Sequence, residues 1–382
     1  MATVTNDLLT ISMITREALV VLENRLGFSE HVNREYDDKF AVEGAKIGTV
    51  LNVRKPPRYV GRTGTQLTLE NSVETSVAVA LTTQFGVDIQ FSSADLALKI
   101  DDFRKRFLVP AIATIANKID SDGMALYKQI YNAVGTPGTT PNQLLTYLLA
   151  GVALDNQAAP DDGQRSIVLS PIMQAYIVDA LKGLFQASNA IAEQYTKGMM
   201  GITAGFTWYQ DQNCQAHTFG TYGGTPLVEG ASQTGSTLLT DGWTSGGTTL
   251  NEGDILTING VYEVNPQSRS STGALQKFVV MATISDTSGE INIPISPSII
   301  TSGAFQTVSA APANNAPINV FAASAQVSVQ GLAYHKDAFT LVCADLPLPR
   351  GVDMAGRMSD KQLGLSIRLI RQYDINSDNL PC

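Results

Sequence analysis

Glu252-Gly-Asp-Ile-Leu-Thr-Ile-Asn-Gly-Val-Tyr-Glu-Val264 decides how this chain is read. It holds two short apolar runs around Asn259-Gly260, the two-residue pair that most favours a β-hairpin, since both turn positions want positive φ. The stretch lies in a block, Thr221 to Gln330, with only nine Lys, Arg, Asp or Glu residues, of which Arg269 and Lys277 are the basic ones. Gln276–Ile284 and Ile291–Ile295 follow, separated by Asp286-Thr-Ser-Gly289. Short strands between polar turns predict a small all-β barrel or sandwich.

The flanks are of another kind. Residues 5–26 carry apolar side chains at helical spacing, with Gly27 as a stop. Phe28 to Gly44 is polar and acidic and reads as an extended arm, with Glu35, Asp37 and Asp38. Thr49–Val53, Val73–Leu81 and Val87–Phe91 read as strands. Between Gly44 and Leu69 stand five basic residues, Lys46, Arg54, Lys55, Arg58 and Arg62, and no acidic one. Pro56-Pro57 cannot sit in a central strand, so this is a projecting loop with a basic tip.

Ala111 to Val134 carries Ile112, Ile115, Ile119, Gly123, Leu126, Ile130 and Val134 at spacings of three and four, which predicts one long helix. A helix capped at Thr140-Pro-Asn and reaching about Leu154, a buried strand at Ser166–Leu169, a helix from Ser170-Pro171 to about Leu184, a third at Ala190–Thr196 and a strand at Phe206–Tyr209 follow. Beyond the block, Leu332–Val342 and Leu363–Leu369 read as strands rejoining the host. The stop at Cys382, just after turn-like Asn376–Asn379, leads us to expect that the natural chain continues.

Composition excludes several classes. At 382 residues, 44% hydrophobic and a net charge of −9, the chain is a folded protein without the clustered cations of a tight nucleic-acid binder. Three widely spaced cysteines give no disulfide framework. No signal peptide or membrane-length apolar run is present. Cys214-Gln-Ala-His217 has metal-ligand spacing without a second pair, and reads as a packed cysteine beside a surface histidine. Asp120-Ser-Asp122-Gly123 lacks the later Glu of a calcium loop and reads as solvated helix charge. His335 reads as a core or interface histidine. No nucleophile has a credible His partner, so we expect no enzyme, no cofactor and no metal.

Arg54, Lys55, Arg58 and Arg62 read either as a solvated loop or, as the Pro-Pro stiffening and flanking strands favour, as a contact with a neighbouring acidic surface, for which the chain's own acidic arm from Glu30 to Glu43, with Glu35, Asp37 and Asp38, is the candidate. Such pairing steers and fixes register more than it stabilises.

The order of parts resembles one family. Gly253–Val261 in the insertion, Gly331-Leu-Ala-Tyr-His-Lys-Asp-Ala-Phe-Thr-Leu-Val342, Leu346-Pro-Leu-Pro349 and Leu363–Asp374 carry the resemblance to major capsid proteins of tailed bacteriophages, more narrowly the P22 type. That resemblance implies an α+β capsid fold of the Hong Kong ninety-seven type with an inserted all-β barrel. Its parts would be an N-terminal helical arm at 1–44, an extended loop with adjoining strands at 45–92 and a peripheral domain with a spine helix at 93–137. A central α/β domain at 138–223, the barrel at 224–325 and return strands at 326–382 would complete it. It implies pentamers and hexamers of the chain closing an icosahedral shell around weakly contacted double-stranded DNA. A scaffolding protein, a portal protein and a decoration protein are the implied partners. The implied location is the virion, assembled in the host cytoplasm with no membrane. The rival reading is a surface protein whose β-module binds a receptor or glycan.

Overall fold

A computed structural model describes residues 11–23, 26–37, 50–55, 57–61, 64–66, 74, 76–80, 83–92, 108–181, 202–286, 288–344, 348–352, 354–360, 365–373 and 379–381. The fold is α+β, with more strand than helix. The chain divides into two units, one of residues 1–55, 74–120 and 337–382, the other of residues 56–73 and 121–336.

In the first unit, helix α1 (Ile11–Glu23) buries Ala18, Leu19, Val21 and Leu22. Its apolar stripe packs with Leu108, with Ile112 and Ala116 of helix α2 (Val109–Met124), and with Leu365. An antiparallel pair, Met354–Asp360 with Leu365–Arg371, lies in the same cluster through Met358 and Ile367. The polar arm expected over Phe28–Gly44 is, as far as Asp37, a packed element: Phe28, Ser29 and Val32 are buried, and Asn33–Asp37 pairs in parallel with Thr340–Ala344. The reason is Asp120. Its carboxylate accepts from Gly27 N, Ser29 N and the Ser29 hydroxyl at 2.8, 2.9 and 2.6 Å, which turns the chain into that strand. Asp120 is therefore a buried cap rather than solvated helix charge. Val50–Arg54 pairs with Ser76–Ala80, and Gln90–Ser92 with Asn379–Pro381.

In the second unit the helical pattern read to Val134 stops early. After Met124 the chain tightens into a 3₁₀ segment, Ala125–Gln129, and Ile130 is already extended. Side-chain ties explain the early stop: Tyr131 donates its hydroxyl to Gln157 Oε1 at 3.0 Å, and Lys277 Nζ donates to the Ala133 carbonyl at 2.5 Å. Helices α3 (Leu144–Asn156) and α4 (Pro171–Leu181) cover a four-stranded sheet, ordered Leu332–His335, Arg165–Leu169, Phe206–Gln210, Ile202–Thr203. The central strand, Arg165–Leu169, is buried along its whole length and runs parallel to Phe206–Gln210, as a strand covered on both faces should. The expected strand Leu332–Val342 is broken by a 3₁₀ turn at Lys336–Ala338. The expected helix Ala190–Thr196 lies outside the described residues.

Ala216–Thr218 pairs antiparallel with Val327–Val329. Between these two strands the chain makes a six-stranded sheet, ordered Ile318–Val320, Ile255–Val264, Ser271–Val280, Ile291–Ile299, Gly235–Trp243, Gly224–Val228. Its ends meet at a Leu227–Pro317 bridge and a Val228 N to Ala316 O bond, so the sheet nearly closes into a barrel. Leu238, Leu256, Ile258, Val261, Phe278, Val280 and Ile293 fill the interior.

Asn259-Gly260 is not a hairpin turn. It lies inside one strand, and pairing skips from Thr257–Lys277 to Tyr262–Leu275 across it. Gly260 takes φ +81°, the left-handed backbone that lets a strand bulge and bend. The bend lets Ile258 pair with Ile318 while Asn259 N donates to Pro317 O, which helps close the barrel. The turn that does reverse the chain is Asn265–Ser270, where Asn265 Oδ1 accepts from Gln267 N and Ser268 N.

Candidate assembly elements and the barrel attachment

The neck strand Ala216–Thr218 places His217 inside the protein, 4% exposed, so the surface histidine read from the sequence is a buried one. Its Nδ1 lies 3.0 Å from the Tyr127 hydroxyl and its Nε2 2.8 Å from Asp254 Oδ1. Burial, then Glu252 and Asp254, push the Tyr127 hydroxyl up to about 12. The Asp254 carboxylate accepts, so the His217 Nε2–H donates to it. The second Asp254 oxygen accepts from Gly220 N at 3.0 Å and Asn251 N at 2.8 Å. One carboxylate thus ties the neck, the barrel and, through His217, the 3₁₀ turn after α2. Buried ionic acceptors persist only when saturated in this way.

Other charges of the block also sit at its attachments. Glu263 accepts from Gln157, at the C-terminal end of α3, and, at 3.0 Å, from Thr272 Oγ1. Asn265 Nδ2 donates to the Asn156 carbonyl at 2.9 Å. Lys277 reaches Ala133 O and lies 5.8 Å from the Phe321 ring centroid, and burial lowers its pKa. Arg269 donates to the Tyr59 carbonyl in the basic loop. The block is poor in charge, and four of its nine charged residues are spent on joining it to the rest of its unit.

The basic candidates do not gather into one site. Arg54 meets Glu74 at 3.6 Å with both side chains exposed, and Lys55 beside it is exposed. Arg58 stands over the Phe305 ring of the barrel at 5.8 Å. Arg62 and Asp38 lie outside the described residues. Glu35 and Asp37 are paired opposite Val342 and Ala344. The sequence reading missed Phe305 and Glu74, whose separation from the loop along the chain gives no local signal. His335, buried as expected, lies 3.1 Å from Asp162 Oδ1, and the backbone N–H of Gln164, then His335, hold that carboxyl below its usual range.

Burial, then Asp211, push the Cys214 thiol up to about 12, far from a reactive thiolate. Among the described residues, no three His, Cys, Asp or Glu side chains converge as metal ligands.

Residues 56–382 match the family described as P22 coat protein, gene protein 5. Similar solved structures include the CUS-3 coat protein I-domain, 24% identical over 26% of this chain and 96% of that one, at a TM-score of 0.20. Mycobacterium phage Che8 is 12% identical over 81% of this chain and 90% of that one, at 0.36. The capsid of Cyanophage P-SCSP1u is 12% identical over 78% and 88%, at 0.35. Among curated proteins no sequence matches.

Proposed function

The chain belongs to the P22 coat protein family, which makes it a phage capsid protein, and from that premise we propose that its copies close an icosahedral shell around double-stranded DNA. The family match over residues 56–382 is the observation that carries this reading. The physical features agree with it. A net charge of −9 gives a shell that does not grip DNA, so the genome can enter and leave. Contacts made by exposed loops are individually weak, and a closed symmetric assembly repeats them many times.

The finer parts of the reading are ours as well. The subunits form pentamers and hexamers, assemble on a scaffolding protein in the host cytoplasm, share one vertex with a portal protein and accept a decoration protein outside. The role is structural, without catalysis. Arg54, Lys55, Arg58 and Arg62 serve as intersubunit contacts, with Glu35, Asp37 and Asp38 as acidic partners. Expression with and without a scaffolding partner, followed by size exclusion and negative stain, tests the shell. Megadalton shells or hollow tubes are expected, and a chain that stays monomeric in both conditions refutes the reading.

A further inference from the structure

Helix α3, Leu-Leu-Thr-Tyr-Leu-Leu-Ala-Gly-Val-Ala-Leu-Asp-Asn, is apolar around its whole circumference. Such a helix belongs in an interior, because a surface helix keeps a polar face. One side of α3 does face its own unit: Tyr147 is buried and stacks edge-on against Trp208 at 5.2 Å, with Leu144 and Leu154 in the same cluster. The other side is bare. Leu145, Leu148, Leu149 and Val152, at positions i, i+3, i+4 and i+7, are between 41% and 59% exposed. Helix α4, which packs beside α3, leaves Ile172 and Tyr176 about as open. Together they present on the order of 500 Å² of apolar surface, comparable to the largest patch on an ordinary single chain, which is often a functional one.

We infer that this face docks on a neighbouring copy of this chain in the assembled shell, an inference that rests on the capsid reading. Charge and area decide the occupant. The two helices carry Asp155 and Asp179 and no Lys or Arg, which disfavours DNA as the occupant, since it needs cations facing its phosphates. The patch falls short of the ~800 Å² per partner of a stable two-body interface. A face of that size holds weakly when used once and well when every copy in a closed ring or shell repeats it. Free subunits then stay apart at low concentration despite the exposed leucines.

The test uses the full chain with Leu148→Cys, a small change at an exposed position. The maleimide labelling rate of the introduced thiol is followed by peptide mass spectrometry in free subunits and in shells freed of any assembly partner. The free subunit should label at nearly the rate of the urea-unfolded chain, and the shell at least tenfold more slowly. Equal rates in subunit and shell overturn the inference. So does slow labelling in the free subunit, which means another segment of the same chain covers the face. Protection found only while an assembly partner is bound also overturns it, by giving the face to that partner. Failure of the unsubstituted chain to form shells refutes the capsid reading instead, and is scored separately.

Discussion

Asp254 gathers three donors onto one buried carboxylate, His217 on one oxygen and Gly220 N and Asn251 N on the other, with Tyr127 behind the histidine. Replacing it by Asn keeps the shape but leaves a single oxygen as acceptor and turns an amide N–H₂ toward one of these donors. A buried donor left unmade costs roughly 1–3 kcal/mol. We expect Asp254→Asn to lower subunit stability by about 2 kcal/mol in urea unfolding. Faster hydrogen exchange at the Gly220 and Asn251 amides should mark the damage as local to the neck. Unchanged exchange at both amides would refute the assignment. None of this was visible in the sequence. Cys214-Gln-Ala-His217 drew attention through its spacing, while the true partners of His217 lie 90 and 37 residues away. Asp120 escaped for the same reason, since the groups it caps are 91 and 93 residues off. Hydrogen-bond partners at such separations leave no periodic trace.

At the scale of elements, the sequence spoke clearly where a continuous apolar run is bounded by turn residues. The apolar Ser166–Leu169 run appears as the central strand Arg165–Leu169, and the helix expected to end near Leu154 ends at Asn156. It misled where tertiary ties override a local pattern. The helical spacing runs on in the sequence through Ile130 and Val134, yet the α-helix ends at Met124 and the 3₁₀ turn after it at Gln129, beyond which Tyr131 and Ala133 make their ties to Gln157 and Lys277. Asn259-Gly260 has the chemistry of a turn and is used as a bulge, because closing the barrel needs a bend in the middle of a long strand. The neck is tightly built next to Gly220. A Cβ on Gly220 would lie 2.0 Å from the Thr249 carbonyl oxygen and 2.8 Å from Leu250 Cα, both backbone atoms with no room to yield. Gly220→Ala should therefore cost about 3 kcal/mol or prevent soluble expression, as overpacking does. Gly247→Ala, where nothing lies within 4 Å of the added carbon, should leave the unfolding midpoint nearly unchanged. Similar midpoints for the two variants would refute the close approach at the neck.

For the whole molecule, the basic loop is where folding and assembly separate. Arg58 stands over Phe305 of its own chain, and an exposed contact of this kind contributes about 0.5–1 kcal/mol. Arg54 and Glu74 form an exposed pair, which is worth little. The subunit therefore loses little in these two contacts when Arg54 or Arg58 is reversed. A shell multiplies the same loss over all its copies and adds repulsion wherever the loop meets an acidic neighbour. We expect Arg58→Glu combined with Arg62→Glu to shift subunit stability by less than about 1 kcal/mol and to cut particle yield at least tenfold. Phe305→Leu separates the two roles of Arg58. It removes the ring beneath the guanidinium and leaves the charge, so particle yield should stay near normal if the charge faces a neighbouring copy. If Phe305→Leu lowers yield as far as the double reversal does, Arg58 acts by holding the loop on its own barrel. Normal yield from the double reversal refutes the intersubunit contact outright. Added salt gives an independent check: at about 1 M the screening length shrinks to roughly 3 Å, so the yield of the unsubstituted chain should fall toward that of the reversed one.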